Sequence, residues 1–522
     1  MTTPADVPRG KASVGSGLAA GRPARPIGPG ERIHVVGAAG AGASAAVLHA
    51  HRAGANVSGC DPGGPSPYTP PILAAGIDLE WRHDPSHVQG PTPPARLAVT
   101  KALTAIDPDN PELAAARAAG IPLEPWQQVV ADAAFGRYLI GVAGTHGKST
   151  TSGWLVHVLT AAGMDPAAFV GALLSPTLTA PAADDARDGA TAALPSTARL
   201  GEGRTFVVEA DEYAGNFDPY RPDLAVLTSA EWDHPDVFAN RDAVVACFRD
   251  WLFQAAETDA DPILVANVAD PGVAAVVAAL NGWRGRIVTV GLDAPNAAGL
   301  VGDIRESTPT GTVLELTGSL LSAPLEVTLR LAGRHNASNA ICVAAAALIA
   351  GVDAAALPAA LASFAGVGRR LERKGEGRGV VVYDDYGHHP TAIRETLAAI
   401  RQLEPGRRVW AVYEPLTYHR TAAMLDEFAT VLATADAVAI ADIWASRDPD
   451  TTIASAAGLA AAVRRLRPEI VSEAPGSVEE TAAWLVDRVA PGDAVLVMGG
   501  GKSYRIAELL VAALGDNGAG TM

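Results

Sequence analysis

The sequence predicts an α/β protein of three domains: a Rossmann-like N-terminal domain, a central P-loop domain with a mainly parallel sheet, and a Rossmann-like α/β C-terminal domain. Three observations carry that expectation. The chain has 522 residues, too many for one core and suited to three units of ordinary size. The stretch "RIHVVGAAGAGASAAVLHAHRAGANVSGCD" from Arg32 to Asp61 changes period from strand to glycine turn to helix to strand, the mark of a mononucleotide-binding unit. Towards the C-terminus, "VVVYDDY", "RVWAVYE", "AVAIADI" and "AVLVMG" are separated by helical patterns such as "TAIRETLAAIRQL", as in an open parallel sheet.

Taken in order, residues 1–30 are rich in Gly, Pro, Ala and Arg and are expected to be a flexible tail. The first domain is expected over residues 31–137, where Ile33, Val35 and Val36 lead into Gly37, Gly40 and Gly42. The central domain is expected over 138–363. It opens with the strand "YLIGVAG" and a helix from Ser149 to Ala162, followed by a polar loop over 175–203. Strands "TFVVEA", "LAVLTS", "PILVANV" and "RIVTVG" come next, and the better alternation over 300–331 points to antiparallel strands. The third domain is expected over 364–522.

Composition narrows the function classes. Lys and Arg number 40 against 57 Asp and Glu, a net charge of −17, so there is no basic excess for nucleic acid. The cysteines Cys60, Cys247 and Cys342 stand singly and make neither a disulfide scaffold nor a zinc cluster. They read as reduced, buried residues of a cytoplasmic protein. No signal-peptide core opens the chain, and apolar runs such as "ICVAAAALIAGV" fall short of a membrane span. A monomer and a homodimer both remain open.

The chemistry-bearing motif is "GVAGTHGKSTTSGW", Gly141–Trp154. It departs from G-x-x-x-x-G-K-[ST] because Val142 stands where the first glycine belongs. An apolar strand still enters the loop, and Ser149 opens a helix. Backbone amides, Gly144, Gly147 and the helix N-terminus can cradle phosphates. Lys148 can reach the outer phosphates, and the hydroxyl of Ser149 or Thr150 can meet Mg2+. Acidic groups follow two strands. "FVVEADEYAGNF" carries Glu209, Asp211 and Glu212, and "AVLTSAEWDHPDVF" carries Glu231, Asp233 and His234. Glu209 and His234 are the candidates for two metal positions. Asn336 and Asn339 in "GRHNASNA" suit either a nucleotide base or a helix cap. "YDDYGHHP" brings Asp384, Asp385, His388 and His389 together without a zinc spacing.

The ordered set "HVVGAAGAG", "GTHGKSTT", "VEADE", "DH", "HNASNA" and "DDYGHHPTAI" resembles the Mur ligase family, the ATP-dependent ligases of peptidoglycan precursor synthesis. The resemblance spans roughly residues 32–515. It implies that Gly144, Thr145, His146, Gly147, Lys148, Ser149 and Thr150 hold ATP phosphates, with Ser149, Glu209 and His234 on Mg2+. It implies that Asn336 and Asn339 lie on the adenine side, and that Asp385 and the His388 region face ribose and the amino acid. Gly37, Gly40, Gly42, Ser44 and Asp61 would belong to the end that holds UDP-N-acetylmuramate. The implied reaction runs from a substrate carboxylate through an acyl phosphate to an amide, ADP and phosphate, with Lys148 and Mg2+ offsetting charge. The amine is implied to be L-alanine, with murein tripeptide or another amine as the alternative and a non-catalytic nucleotide-binding protein as the lesser one. The helix after His234 holds no lysine that could be carbamylated.

Two stretches depart from the family pattern. In Glu414–Thr421, Arg420 is present, but Leu416 and Thr417 replace a histidine and an arginine near the expected amino-acid carboxylate. In "MGGGKSYRIAELL", Lys502 and Ser503 imitate a second phosphate loop, with an ordinary strand-to-helix turn as the other reading.

Overall fold

The structure, a computed structural model of the chain, describes residues 14–180, 193–257, 261–445, 448 and 450–515. It is built on three open sheets with helices against their faces. The first sheet is wholly parallel, in the order Leu79–Glu80, Asn56–Cys60, Arg32–Val36, Arg96–Val99, Leu123–Pro125. The inner strands Arg32–Val36 and Arg96–Val99 are mostly apolar because helices cover them, and Arg96–Val99 is buried throughout. Helix Ala41–Arg52 starts at the glycine turn. Gly42 lies so close to Trp126 that a Cβ there would meet the indole at 2.1 Å.

Residues 14–30, expected to belong to a flexible tail, pack on this domain. Ala19 donates its N–H to the Leu123 carbonyl at 2.8 Å, and Ile27 is buried. Arg22 pairs with Glu124 at 2.9 Å and Asp132 at 2.8 Å. The same two carboxylates hold the buried Arg96 guanidinium. The physical cause is charge: an acidic pocket built for one buried arginine takes in a second from the preceding segment. Residues 1–13 lie outside the described residues.

The central sheet has ten strands: Leu325–Leu329, Gly311–Thr317, Leu300–Thr308, Arg286–Leu292, Ile263–Asn267, Leu224–Leu227, Tyr138–Ala143, Thr205–Ala210, Ala167–Leu174, Ser196–Leu200. Its middle is parallel. The antiparallel pairs expected over 300–331 form one edge. At the other edge Ser196–Leu200 pairs antiparallel with Ala167–Leu174, so part of the segment expected as a loop is a strand. Residues 181–192 lie outside the described residues. Val142 is a fully buried strand residue. Helix Arg334–Ile349 presents a run of buried alanines and lies against helix Lys148–Ala161. Small side chains allow that approach.

The third sheet runs Glu372–Gly377, Val380–Asp385, Asp493–Gly499, Arg408–Glu414, Ala437–Ala441, Val471–Gly476. It is parallel except for the first strand. The two outermost strands were not expected. "ERKGEG" and "VSEAPG" carry too little apolar sequence to be read as strands, and as edge strands they need little. None of the three cysteines forms a disulfide. Among the described residues, no helix is long and apolar enough to cross a membrane.

His49 links the first two domains. It is buried, and its Nε2 lies 2.9 Å from the Ala168 carbonyl. Burial lowers its pKa to about 4 against this bond, so the imidazole is neutral in the folded chain. The unfolded chain takes up the proton as pH falls through about 6.5. Stability is therefore expected to drop progressively between pH 6.5 and about 4, by at most about 3 kcal/mol. Denaturant titrations across that window check this. In a His49→Gln variant this component of the pH dependence should be absent.

A candidate active site between three domains

The loop after strand Tyr138–Ala143 is stitched to the end of the neighbouring strand Leu224–Leu227. Thr145 N–H donates to the Ser229 carbonyl at 3.1 Å and His146 N–H to Ser229 Oγ at 2.8 Å. Thr145 Oγ1 donates to the Glu231 carbonyl at 3.0 Å. Gly147 begins helix Lys148–Ala161 with φ +82°, a conformation that favours glycine. A Cβ there would meet Asn339 Oδ1 at 2.5 Å. The open amides of the helix start thus face a polar cleft, the arrangement that binds anions.

Lys148 folds over the loop. Its Nζ donates to the Gly144 carbonyl at 2.7 Å and to Glu212 Oε2 at 2.8 Å, with Asp211 at 3.5 Å. Burial works against its charge, but Glu212 and Asp211 outweigh burial and raise its pKa. Burial pushes the Glu212 carboxyl up, while the Lys148 charge overcomes burial at Asp211 and holds it down.

The strand order explains how the acids converge. Thr205–Ala210 and Leu224–Leu227 lie on either side of the phosphate-loop strand, so both acidic segments leave the sheet beside the loop. Glu209 accepts from Ser149 Oγ at 2.9 Å and from Gly171 N–H at 2.6 Å. Asp211, Glu212 and His234 offer donor atoms within 4.8 Å of one another. Glu209 and His234, expected at two metal positions, stand in separate groups here: Glu209 with Ser149, and His234 with Asp211 and Glu212. Oxygen donors dominate both, which suits a hard cation such as Mg2+.

The third domain closes the cleft by three links. Arg370 donates to Ser149 Oγ at 2.9 Å. Thr391 Oγ1 donates to Glu231 Oε1 at 2.8 Å, and His146 Nε2 is 2.9 Å from Glu231 Oε2. Arg420 donates to Asp233 Oδ1 through Nε at 2.9 Å and through a terminal nitrogen at 2.7 Å, and lies 3.3 Å from His234 Nδ1. Burial opposes the Asp233 charge, but Arg420 holds that carboxyl well below its usual range. Arg420, expected near an amino-acid carboxylate, thus already spends its charge on Asp233. His388 packs with its Nδ1 2.8 Å from the Tyr386 carbonyl, and burial and the Arg420 cation push its pKa well below normal. Asp385 accepts from Leu371 N–H at 2.8 Å and Gly387 N–H at 2.7 Å, holding the domain junction. His389 caps helix Pro390–Leu403 by accepting from Thr391 N–H.

The cleft measures about 630 Å³ and takes residues from all three domains. Lys148, Ser149, Glu209, His234, Asn336, Asn339, Asp385, His388 and Arg420 all line it, as do Thr145, His146, Gly147 and Thr150. The N-terminal domain contributes Trp126 and Gln127 rather than Gly37, Gly40, Gly42, Ser44 or Asp61. Ser44 turns towards the central domain, with its Oγ 3.1 Å from Thr197 Oγ1. Asp61 accepts from Ala39 N–H at 3.0 Å within the glycine turn. Asn336 and Asn339 are not caps. Gly333 takes that position, and Asn336 donates back to the Ala332 carbonyl at 2.7 Å. The 499–503 turn is an ordinary one: Ser503 N–H donates to Glu414 at 2.7 Å and Arg369 donates to the Gly499 carbonyl at 2.8 Å. Sequence reasoning passed over Arg370 and Asn267. The adjacent arginines Arg369 and Arg370, just past the last central helix Leu357–Ser363, were the signal available for the first.

Three family descriptions match the chain in order. The Mur ligase family catalytic domain matches residues 32–138, the Mur ligase middle domain 142–347, and the Mur ligase glutamate ligase domain 369–501. The UDP-N-acetylmuramate–L-alanine ligase of Gloeobacter violaceus is 35% identical over 491 residues, 94% of this chain and 97% of that protein. The protein of the same name from Kineococcus radiotolerans is 36% identical, covering 90% and 93%. Among solved structures, the murein peptide ligase of Psychrobacter arcticus superposes with a TM-score of 0.68 at 25% identity, covering 94% of this chain and 100% of that one. The UDP-N-acetylmuramate–alanine ligase of Thermotoga maritima has a TM-score of 0.70 at 22% identity, covering 92% and 98%, and shares the fold. Use of ATP and Mg2+ is typical of the family. With all three domains matched and the phosphate loop, acids and closing third domain in place, this chain belongs to the Mur ligase family of ATP-dependent carboxylate–amine ligases.

Proposed function

We propose that the chain joins L-alanine to UDP-N-acetylmuramate with cleavage of ATP to ADP and phosphate, as a step of peptidoglycan precursor synthesis in the cytoplasm. The observation that carries the chemistry is the phosphate loop held between two acid-bearing strand ends and covered by the third domain. The choice of substrates rests on relatives of that name at 35% and 36% identity over most of both chains.

The phosphates of ATP lie on the loop from Gly144 to Thr150, with Lys148 against the transferring group. Asn336 and Asn339 face the adenine, joined by Asn267, whose buried Oδ1 has no hydrogen-bond partner and can accept from an exocyclic amine. Ser149, Glu209 and His234 hold Mg2+, with Asp211 and Glu212 beside His234. Bound there, Mg2+ supplies electrostatic stabilisation of the transferring phosphoryl group. UDP-N-acetylmuramate lies along the glycine turn of the first domain, with its carboxylate entering past Trp126 and Gln127. That carboxylate attacks the γ-phosphorus, ADP leaves, and the amine attacks the acyl phosphate. The tetrahedral intermediate then expels phosphate and leaves the amide.

His388 has its Nδ1 against a carbonyl oxygen, which places the proton on Nδ1 and leaves the neutral Nε2 to accept a hydrogen bond from the amine, while its lowered pKa leaves the amine proton to the departing phosphate. Arg420 is a positioning residue. It fixes Asp233 and His234 to the third domain and so brings the amine site over the phosphates.

A second reading, murein peptide as the amine, is favoured by the likeness to the murein peptide ligase and by the apolar Leu416 in the cleft wall. Incubation with ATP, Mg2+, UDP-N-acetylmuramate and single amines separates the two, with phosphate release and product mass as readouts. L-Alanine is expected to give the adduct. A product with the tripeptide and none with L-alanine would favour the second reading, and none with either would leave a nucleotide-binding protein.

Two substitutions test the roles. Lys148→Ala should lower kcat by roughly a thousandfold or more with every amine, while circular dichroism stays unchanged. Arg420→Ala should lower kcat at least about tenfold with a smaller change in the KM of the amine. A rise in that KM alone would assign Arg420 to the amino-acid carboxylate instead.

A further inference from the structure

The N-terminal domain carries a second cluster of titratable side chains that this reaction does not use. His34 lies on strand Arg32–Val36, Cys60 ends strand Asn56–Cys60, His87 ends the turn Pro85–His87, and Glu112 lies in the first turn of helix Pro111–Ala118. One donor atom from each lies within 4.8 Å of the other three. His34 Nε2 is 2.8 Å from Glu112 Oε1 and 3.4 Å from Cys60 Sγ. Cys60 Sγ is 3.2 Å from Glu112 Oε2, and His87 Nδ1 is 3.1 Å from Glu112 Oε1. Ligand atoms about 2.0–2.3 Å from a tetrahedral zinc ion lie roughly 3.3–3.8 Å from one another. The separations of 2.8, 3.4, 3.2 and 3.1 Å lie within or a few tenths of an ångström below that range.

Two further features point to a metal. Glu112 and Cys60 are fully buried and His34 is 2% exposed, so most of the group is shielded from bulk water. The second nitrogen of His34 is engaged by Ser58 Oγ at 2.8 Å, which aims Nε2 into the cluster. A sulfur, two imidazoles and a carboxylate converging from four separate elements make a zinc donor set.

We propose that His34, Cys60, His87 and Glu112 bind one structural Zn2+ ion, with His83 beside them. His83 Nδ1 stands 3.3 Å from Cys60 Sγ and 3.4 Å from Glu112 Oε2. On binding, the Cys60 thiol releases its proton to solvent as the sulfur takes the metal. The ion ties the turn Pro85–His87 and the start of helix Pro111–Ala118 to the strands Arg32–Val36 and Asn56–Cys60 beneath the glycine turn. The Cys60 carbonyl already accepts from Gly37 N–H at 2.8 Å and Ala38 N–H at 3.1 Å. The site is independent of the ligase chemistry and of which amine is joined.

The test uses the full chain produced in zinc-supplemented medium and gel-filtered. Elemental analysis is expected to find about one zinc per chain. After exchange to cobalt, a thiolate-to-cobalt charge-transfer band should appear with the visible absorption of a tetrahedral site. Cys60→Ser should remove that band and most of the zinc, whereas Cys342→Ser, a buried cysteine elsewhere, should keep both. Should Cys60→Ser fail to fold, the zinc content and cobalt spectrum of the unaltered chain decide. Background zinc in the unaltered chain, no charge-transfer band, or a band unchanged in Cys60→Ser would each overturn the proposal.

Discussion

The site depends on one constraint, the placement of strand Tyr138–Ala143 between Leu224–Leu227 and Thr205–Ala210. Parallel strands end on the same side, so a phosphate loop on the middle strand receives whatever follows its two neighbours. Here those neighbours deliver Glu209, Asp211 and Glu212 on one flank and Glu231, Asp233 and His234 on the other. The position of Lys148 follows from this. It is a largely buried cation between the buried Glu212 carboxylate and the partly exposed Asp211, held without needing any ligand to fix it.

The third domain is attached to that centre by polar contacts, beside which Trp232 packs against the third domain's core. Arg420 with Asp233, Thr391 with Glu231 and Arg370 with Ser149 each join one domain to the other. Such contacts are strong when dry and easily exchanged for water when the cleft opens. They suit a domain that must close for chemistry and open for release. Thr417 takes part in this arrangement. With φ +63° it begins helix Tyr418–Ala423 and accepts from Arg420 N–H, which turns the guanidinium inward. The replacement of a basic residue by Thr417 leaves Arg420 as the cation of this stretch that meets Asp233.

The three sheets and the phosphate loop were legible because they rest on local signals: apolar period, glycine turns and a helix start after a strand. Asn336 could not be settled by its neighbours in sequence, since cap and ligand use the same side chain. Only the position of Gly333 at the helix start separates them. Glu209 and His234 read as separate metal positions in the sequence, but the grouping of Asp211 and Glu212 with His234 was hidden because it depends on which carboxylate reaches which side of the loop. The order of Arg22 was hidden for a similar reason. Its partners Glu124 and Asp132 lie more than a hundred residues away, and nothing in a Gly- and Pro-rich segment announces them. Cys60 alone is unremarkable in sequence, and only folding brings it to His34, His87 and Glu112. The His83 and His87 pair, four residues apart, was the one visible hint.

In the proposed mechanism this centre activates a carboxylate by moving the γ-phosphoryl group onto it. UDP-N-acetylmuramate carrying a heavy-oxygen label in its carboxylate tests that claim directly, with mass analysis of the phosphate released during turnover with ATP and L-alanine. Transfer of one labelled oxygen from the carboxylate to the phosphate is the expected result, because the acyl phosphate breaks between carbon and that oxygen. Phosphate free of label, with the amide still formed, would contradict it.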